Sequence, residues 1–216
     1  MEGPTVESLK IAIFCWESLY AERVGGLARA ATHLAETLAN HHEVHYFTRG
    51  WIQDQTIKGV HYHYCQPQGN NIVEYCESMS RGMVENFQKF DKNRKFDYLH
   101  FNDWHAVQAL HILQDRNTIL TYHSTEYGRY GNQFGDWWEF KEISGKEWYG
   151  GLIAKRVTAV SATLKNEVMH LYHVPDWKCD VVPNGVVPRE FRAEIDAGKV
   201  KQAYGIHPFA PLILFI

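Results

Sequence analysis

Short apolar runs alternate with longer amphipathic stretches along almost the whole chain. Leu9 to Cys15 (LKIAIFC) is nearly continuous in apolar character, the pattern of a strand buried on both faces. After a loop, residues 26–40 set Leu27, Ala30, Ala31, Leu34, Ala35 and Leu38 at helical spacing. The alternation then repeats. EVHYFTRG, GVHYHYC, FDYLHFND, NTILTYH, RVTAVS and CDVVPNGV read as strands. Residues 71–90, 104–114, 147–155 and 162–171 read as helices between them, the last capped by Ser161. A turn-rich, irregular insert precedes the helix at 147–155. Strands regularly alternating with helices predict an α/β fold with a doubly wound, mainly parallel sheet.

The far end reads differently. A helix is expected over 194–204, followed by a two-proline linker and PLILFI, a buried-strand pattern. That run reads as the first strand of a following domain, giving a domain at 1–207 and a linker with first-strand stub at 208–216. The alternative is a final strand of the same sheet.

Composition narrows the class. A chain of 216 residues has room for one sizeable α/β domain. With 45% hydrophobic and 22% charged residues it is neither disordered nor collagen-like. A net charge of -3 without a basic run speaks against nucleic acid as a partner. Cys15, Cys65, Cys76 and Cys179 are scattered and read as reduced, small apolar side chains. No apolar run reaches the roughly 20 residues of a membrane helix, so no transmembrane segment is expected. MEGPTVESLK lacks the basic and apolar regions of a secretory signal, and the expected location is cytoplasmic. Of the seven Trp, twelve Tyr and eleven Phe, many cluster between Tyr127 and Tyr149. Such rings either stack on sugar faces or pack together as a satellite core, and both readings stay open.

Ligands of a doubly wound sheet bind outside the carboxyl ends of its strands, and four unusual loops fall there. Val24-Gly25-Gly26-Leu27 opens the first long helix, where free N–H groups and the helix dipole favour a phosphate. It is not the glycine fingerprint of a dinucleotide fold, which disfavours an NAD-dependent oxidoreductase. HFNDWHA places His100, Asp103, Trp104 and His105 at a strand-to-helix passage, with Asp103 suited to cap that helix. TYHSTEYGRYG sets His123 beside Ser, Thr, Glu and Tyr, a dense set of partners for sugar hydroxyls. The fourth joins AVS to VVPNGV, whose cap and turn each have a structural explanation. His61 and His63 share one strand face, a spacing that is usually incidental, and no metal is implied.

The order G-G-L, H-x-x-D-W-H, T-x-H, A-V-S and V-V-P-N-G-V resembles the N-terminal domain of retaining glycosyltransferases with two Rossmann-like domains (the GT-B type). The nearest groups are the glycogen synthase, sucrose synthase and sucrose-phosphate synthase-like enzymes of glycosyltransferase families 4 and 5. The resemblance spans about Leu9 to Val187. It implies transfer of a glycosyl unit from a nucleotide diphosphate sugar to a carbohydrate or other hydroxyl acceptor, with retention and no cofactor. By the same resemblance Gly25, Gly26 and Leu27 contact the donor, with Arg23 near the position where many bacterial glycogen synthases carry Lys. His123 lies at the reacting sugar as the catalytic position, and Asp103, Trp104 and His105 border the acceptor cleft. Glu126 and Tyr127 extend that cleft, and glucan synthesis is the suggested direction. The family's nucleotide-binding basic pair and E-x7-E motif belong to a C-terminal domain that this sequence does not contain. The chain is therefore expected to be an inactive part of a longer enzyme. A GT-B sugar-nucleotide epimerase and a non-catalytic carbohydrate-binding half-domain are the competing readings.

Overall fold

The computed structural model describes residues 7–186, 188, 192 and 194–214. It divides into two compact units, Met1–Asn184 and Gly185–Ile216. The first is built on an eight-stranded sheet: β1 (Lys10–Phe14), β2 (Glu43–Arg49), β3 (Gln55–Ile57), β4 (Val60–Cys65), β5 (Tyr98–Asn102), β6 (Thr118–Tyr122), β7 (Arg156–Ala159) and β8 (Cys179–Val181). The spatial order is β3-β4-β2-β1-β5-β6-β7-β8, and only the β3–β4 pair is antiparallel. The doubly wound α/β expectation holds.

Each face of β1 builds its own core. Ala12 and Phe14 join a cluster with Met79, Met83 and Phe87 of α2 (Ile72–Phe90), Leu110 of α3 (Val107–Ile112), Leu120 and Val157. Ile11, Ile13 and Cys15 join Ala31 and Ala35 of α1 (Gly26–Leu38) with Val44, Tyr46, Val60 and Tyr62. A strand with both faces covered has no polar positions to alternate, which is why LKIAIFC reads as an unbroken apolar run. The Phe14 ring stacks on Phe47 and Phe101, with centroids 5.2 and 4.6 Å apart.

Several boundaries differ from the expectation. The insert is mostly helical: α4 (Glu126–Arg129) is followed by α5 (Trp138–Ile153), which begins well before residue 147. The helix at 104–114 opens as a 3-10 turn, Trp104–Ala106, before α3. Ser161 caps α6 (Ala162–Tyr172) as read, accepting from the Leu164 N–H at 3.1 Å. The last strand ends at Val181, before the Pro-Asn-Gly turn, and Val187 lies outside the described residues. The second unit contains α7 (Ala197–Ala203), capped by Asp196, within the helix expected at 194–204. Residues 211–214 of the PLILFI run carry no strand, and Phe215 and Ile216 lie outside the described residues.

His63 is committed on both ring nitrogens, to His45 Nδ1 at 2.9 Å and to Asp54 Oδ2 at 2.7 Å. Among the described residues no group of three or more His, Cys, Asp or Glu could hold a metal ion. No helix among them is long and apolar enough to cross a membrane.

From β1 the chain winds outward through β2 and β4, then returns to β5 on the opposite side of β1 and winds outward again through β6, β7 and β8. This reversal leaves a crevice at the carboxyl ends of β1 and β5, where open α/β sheets bind ligands.

The approach of α5 to the sheet depends on its glycines. A Cβ on Gly151 would lie 2.7 Å from Val174 Cγ2 and 2.8 Å from the Tyr122 hydroxyl, which is tethered to the Glu147 carbonyl. Gly151→Ala gains up to about 1 kcal/mol of helix propensity but overpacks the site at a cost of about 1–3 kcal/mol. A lowered urea midpoint with unchanged m-value is expected, and an unchanged or raised midpoint would show that the helix yields freely.

Candidate functional site

A cavity of about 380 Å³ opens at this crevice. The β1 loop contributes Trp16, Glu17, Val24, Gly25, Gly26 and Leu27, and the β5 loop Asp103, Trp104 and His105. The β6 loop and α4 add His123, Ser124, Glu126 and Arg129, and α5 adds Ile143. Eight positions expected from sequence therefore meet in one place: Gly25, Gly26, Leu27, Asp103, Trp104, His105, His123 and Glu126. Arg23 and Tyr127 are not among the lining residues. Arg23 is exposed on the loop before Val24, and the Tyr127 ring packs against Phe134 at 4.9 Å. His100 is not part of the rim. It lies within β5 opposite Ile13 and hydrogen-bonds Thr121 Oγ1.

Each loop hangs on a buried carboxylate. Glu17, 2% exposed, accepts the Val24 N–H and, at 2.9 Å, the Gly25 N–H. Those two amides of the glycine loop are thus already occupied, while Gly26 and Leu27, in the first helical turn, have no carbonyl one turn back to receive their N–H groups. Asp103 does not cap the following turn as expected. Its Oδ1 instead accepts the His123 N–H at 2.7 Å, tying the β5 loop to the β6 loop. Its backbone, at φ 55 and ψ -179, lies in a region that favours glycine. Burial pushes the Asp103 carboxyl up to about 6, against the downward pull of the His123 and Ser124 amides and the Arg129 charge.

Glu147, 1% exposed, reaches up from α5. It accepts the Glu126 N–H at 2.9 Å, the Tyr172 hydroxyl and Arg129 Nη2 at 2.6 Å. Burial pushes its carboxyl up to about 7, although Arg129 and these hydrogen bonds act in the opposite direction. Arg129 also donates through Nε to Glu126 at 2.9 Å and through Nη1 to Ser124 Oγ at 2.6 Å.

The two cleft histidines are neutral near pH 7. Burial pushes His123 down to about 4. Burial, with the positive charges of Arg129 and Arg49, holds His105 well below the ordinary imidazole value. The His123 tautomer follows from its neighbours. Asn102 Nδ2 donates to the Phe14 carbonyl at 3.3 Å, so Asn102 Oδ1 faces His123 Nε2 at 3.1 Å as an acceptor. His123 Nε2 therefore carries the hydrogen, and Nδ1 keeps a lone pair for a ligand hydroxyl. His105 is held between Trp16 and Trp104, with ring centroids 4.0 and 4.2 Å away, and the Arg49 guanidinium covers Trp16 at 4.2 Å. His105 Nδ1 is buried without a hydrogen-bond partner.

Sequence reasoning passed over Trp16, Glu17, Arg129 and Glu147. The first two follow directly on the first strand, and Arg129 stands inside the motif built on His123. Rings of the aromatic insert pack on one another, Tyr130 and Trp137 against the buried Phe140. Tyr130, Phe134, Trp137 and Trp138 stay 36–75% exposed and partly pack together, yet none lines the cleft.

Comparison with known proteins gives a consistent picture. The profile described as Glycosyltransferase Family 4 matches residues 24–190. An uncharacterised glycosyltransferase of Methanocaldococcus jannaschii is 31% identical over 220 residues, covering 96% of this chain and 55% of that protein. The chain thus spans about half the length of the curated relative it matches. The fold resembles sucrose-phosphate synthase of Thermosynechococcus elongatus, with a TM-score of 0.70 at 15% identity, covering 90% of this chain and 52% of that one. It also resembles the catalytic domain of starch synthase IV from Arabidopsis thaliana bound to ADP and acarbose. That match has a TM-score of 0.64 at 14% identity and covers 89% and 55% of the two chains. Anabaena HepE in complex with UDP and glucose matches with a TM-score of 0.63 at 14% identity, covering 91% and 50%.

The buried groups set opposing pH dependences. His123 takes up a proton in the unfolded chain near pH 6.5 but only near 4 when folded. Its contribution to stability is full above about 6.5 and is lost as the pH falls toward 4. Asp103 is raised, so the folded state protonates first and gains relative stability as the pH falls through about 6. Asp103→Asn removes that opposing gain, so its stability should drop more steeply between pH 7 and 5 than that of the parent, as read from urea midpoints. Asp103→Ala also strands the His123 amide and should cost about 1–3 kcal/mol at pH 7. Equal pH slopes for parent and Asn variant would show that Asp103 does not titrate in this window.

Proposed function

This chain belongs to Glycosyltransferase Family 4, and we propose that it forms the acceptor-side part of a retaining enzyme that transfers a glycosyl unit from a nucleotide diphosphate sugar to a hydroxyl acceptor. The observation that carries this reading is the meeting of Gly26, Asp103, His105 and His123, from three separate loops, in one cavity at the reversal of the sheet. In this reading the first turn of α1 faces the leaving diphosphate, where its dipole and free amides favour negative charge. His123 accepts a donor-sugar hydroxyl through Nδ1, a neutral hydrogen-bond partner rather than a proton carrier. The Asp103–His105 turn borders the acceptor, with glucan of the glycogen or starch type as the suggested class. A starch synthase bound to ADP and acarbose and HepE bound to UDP and glucose have the same fold and support the choice of ligands.

The direct test incubates the full-length protein with nucleotide diphosphate sugars and oligosaccharide acceptors, following the product by mass spectrometry and its anomeric configuration by NMR. Formation of a glycoside with the donor's configuration supports the proposal. Conversion of donor without acceptor would favour an epimerase instead. His123→Ala should leave the circular dichroism spectrum and melting unchanged while lowering kcat, a loss on the order of 2–4 kcal/mol in the transition state. Normal turnover in that variant would return His123 to a structural role. The chain of 216 residues alone should bind nucleotide sugars no tighter than millimolar, about -4 kcal/mol. Micromolar binding in calorimetry would contradict the assignment of this half to the acceptor.

A further inference from the structure

Taking the acceptor-side role as its premise, we infer that this cleft selects an uncharged, polyhydroxylated acceptor and turns away acceptors bearing a phosphate or carboxylate. The charges on its walls are unbalanced. The carboxylates of Glu17, Asp103 and Glu126 line it, against the single guanidinium of Arg129. That guanidinium is already paired with two carboxylates, and three of its five N–H groups donate to Glu126, Ser124 and Glu147. Recognition of a phosphate or carboxylate calls for a cation with its fork turned outward, preferably bidentate. Arg49, behind Trp16, is likewise engaged, through Nε to the Trp16 carbonyl at 2.6 Å and through Nη1 to Tyr75 and Glu22.

The imidazoles offer no substitute charge. His105 and His123 are both held neutral by burial, so each presents a hydrogen bond without a net attraction for an anion. The walls instead suit hydroxyls. His123 Nδ1 carries a lone pair with Nε2 committed to Asn102. A hydroxyl can donate to a ring nitrogen and accept from a main-chain N–H, whereas an oxyanion can only accept, beside three carboxylates and with the open amides at the start of α1 assigned to the donor diphosphate. Charge complementarity of this kind acts mainly on discrimination between ligands.

The test uses the chain itself and matched sugars: glucose against glucose 6-phosphate, and fructose against fructose 6-phosphate. Binding is read from amide shifts of Gly26, His105 and Ser124 in heteronuclear NMR, at low and high salt. The neutral member should bind at the cleft at least about tenfold tighter, with the gap narrowing as salt screens the repulsion. Glu126→Gln removes one of the three wall carboxylates and a counter-charge of Arg129, while its amide oxygen can still accept from Nε, and should strengthen binding of the phosphorylated sugar several-fold. Equal or tighter binding of the phosphorylated member by the parent chain would overturn the inference and leave the acceptor cleft standing. If neither member of either pair shifts the cleft amides, the acceptor-side reading itself fails. An unchanged affinity of the Glu126→Gln variant for the phosphorylated sugar would overturn the charge assignment.

Discussion

The hydrogen bond from the His123 main-chain N–H to the Asp103 carboxylate, at 2.7 Å, joins two loops that leave adjacent strands, beyond the last ladder bond from the Asp103 N–H to the Thr121 carbonyl. A loop at the carboxyl end of a parallel strand has no ladder partner for its amides, and burying them without acceptors would cost about 1–3 kcal/mol each. The same solution appears three times around the cleft. Glu17 holds Val24 and Gly25, Asp103 holds His123, and Glu147 holds Glu126. Backbone geometry that favours glycine is tolerated at Asp103 because a glycine there would lose the carboxylate that fixes the neighbouring loop.

This way of building loops determines the chemistry open to the cleft. Carboxylates drawn inward to serve amides bring negative charge to a site where a sugar diphosphate would react. For the proposed transfer, charge stabilisation of the leaving group cannot come from these walls beyond the first turn of α1. In the proposed transfer the acidic walls and neutral hydrogen-bonding groups would orient hydroxyls, and the first turn of α1 would take up negative charge.

The sheet was legible in the sequence because its strands are buried on both faces and its main helices keep one apolar stripe. α5 was not. Its buried positions, Phe140, Ile143, Glu147, Gly150 and Gly151, fall at helical spacing, but three of them are a glutamate and two glycines. Trp138, Trp148 and Leu152 are exposed on the same helix, so the apolar pattern is inverted where the helix meets the cleft. β3 escaped notice for an ordinary reason, being a short, exposed edge strand with little apolar content. At the site, motif order placed Asp103 and His123 correctly in space but suggested a helix cap for Asp103, because a carboxylate before a helix is usually local in its bonding. Its partner lies twenty residues on, across the sheet. No local pattern encodes such a bond, and Arg129 depends on similar contacts with Glu147.

The inverted helix also links core packing to the electrostatics of the cleft. Gly150 and Gly151 let α5 settle against Leu120 and Tyr122, and the Tyr122 hydroxyl then fixes the Glu147 carbonyl. That contact sets the depth at which the Glu147 carboxylate meets Arg129 and the Glu126 amide. Depth in turn governs charge, because burial pushes Glu147 up to about 7. Burial raises Asp103 in the same direction. The charge that faces Arg129 is therefore tied to how closely one helix packs on the sheet.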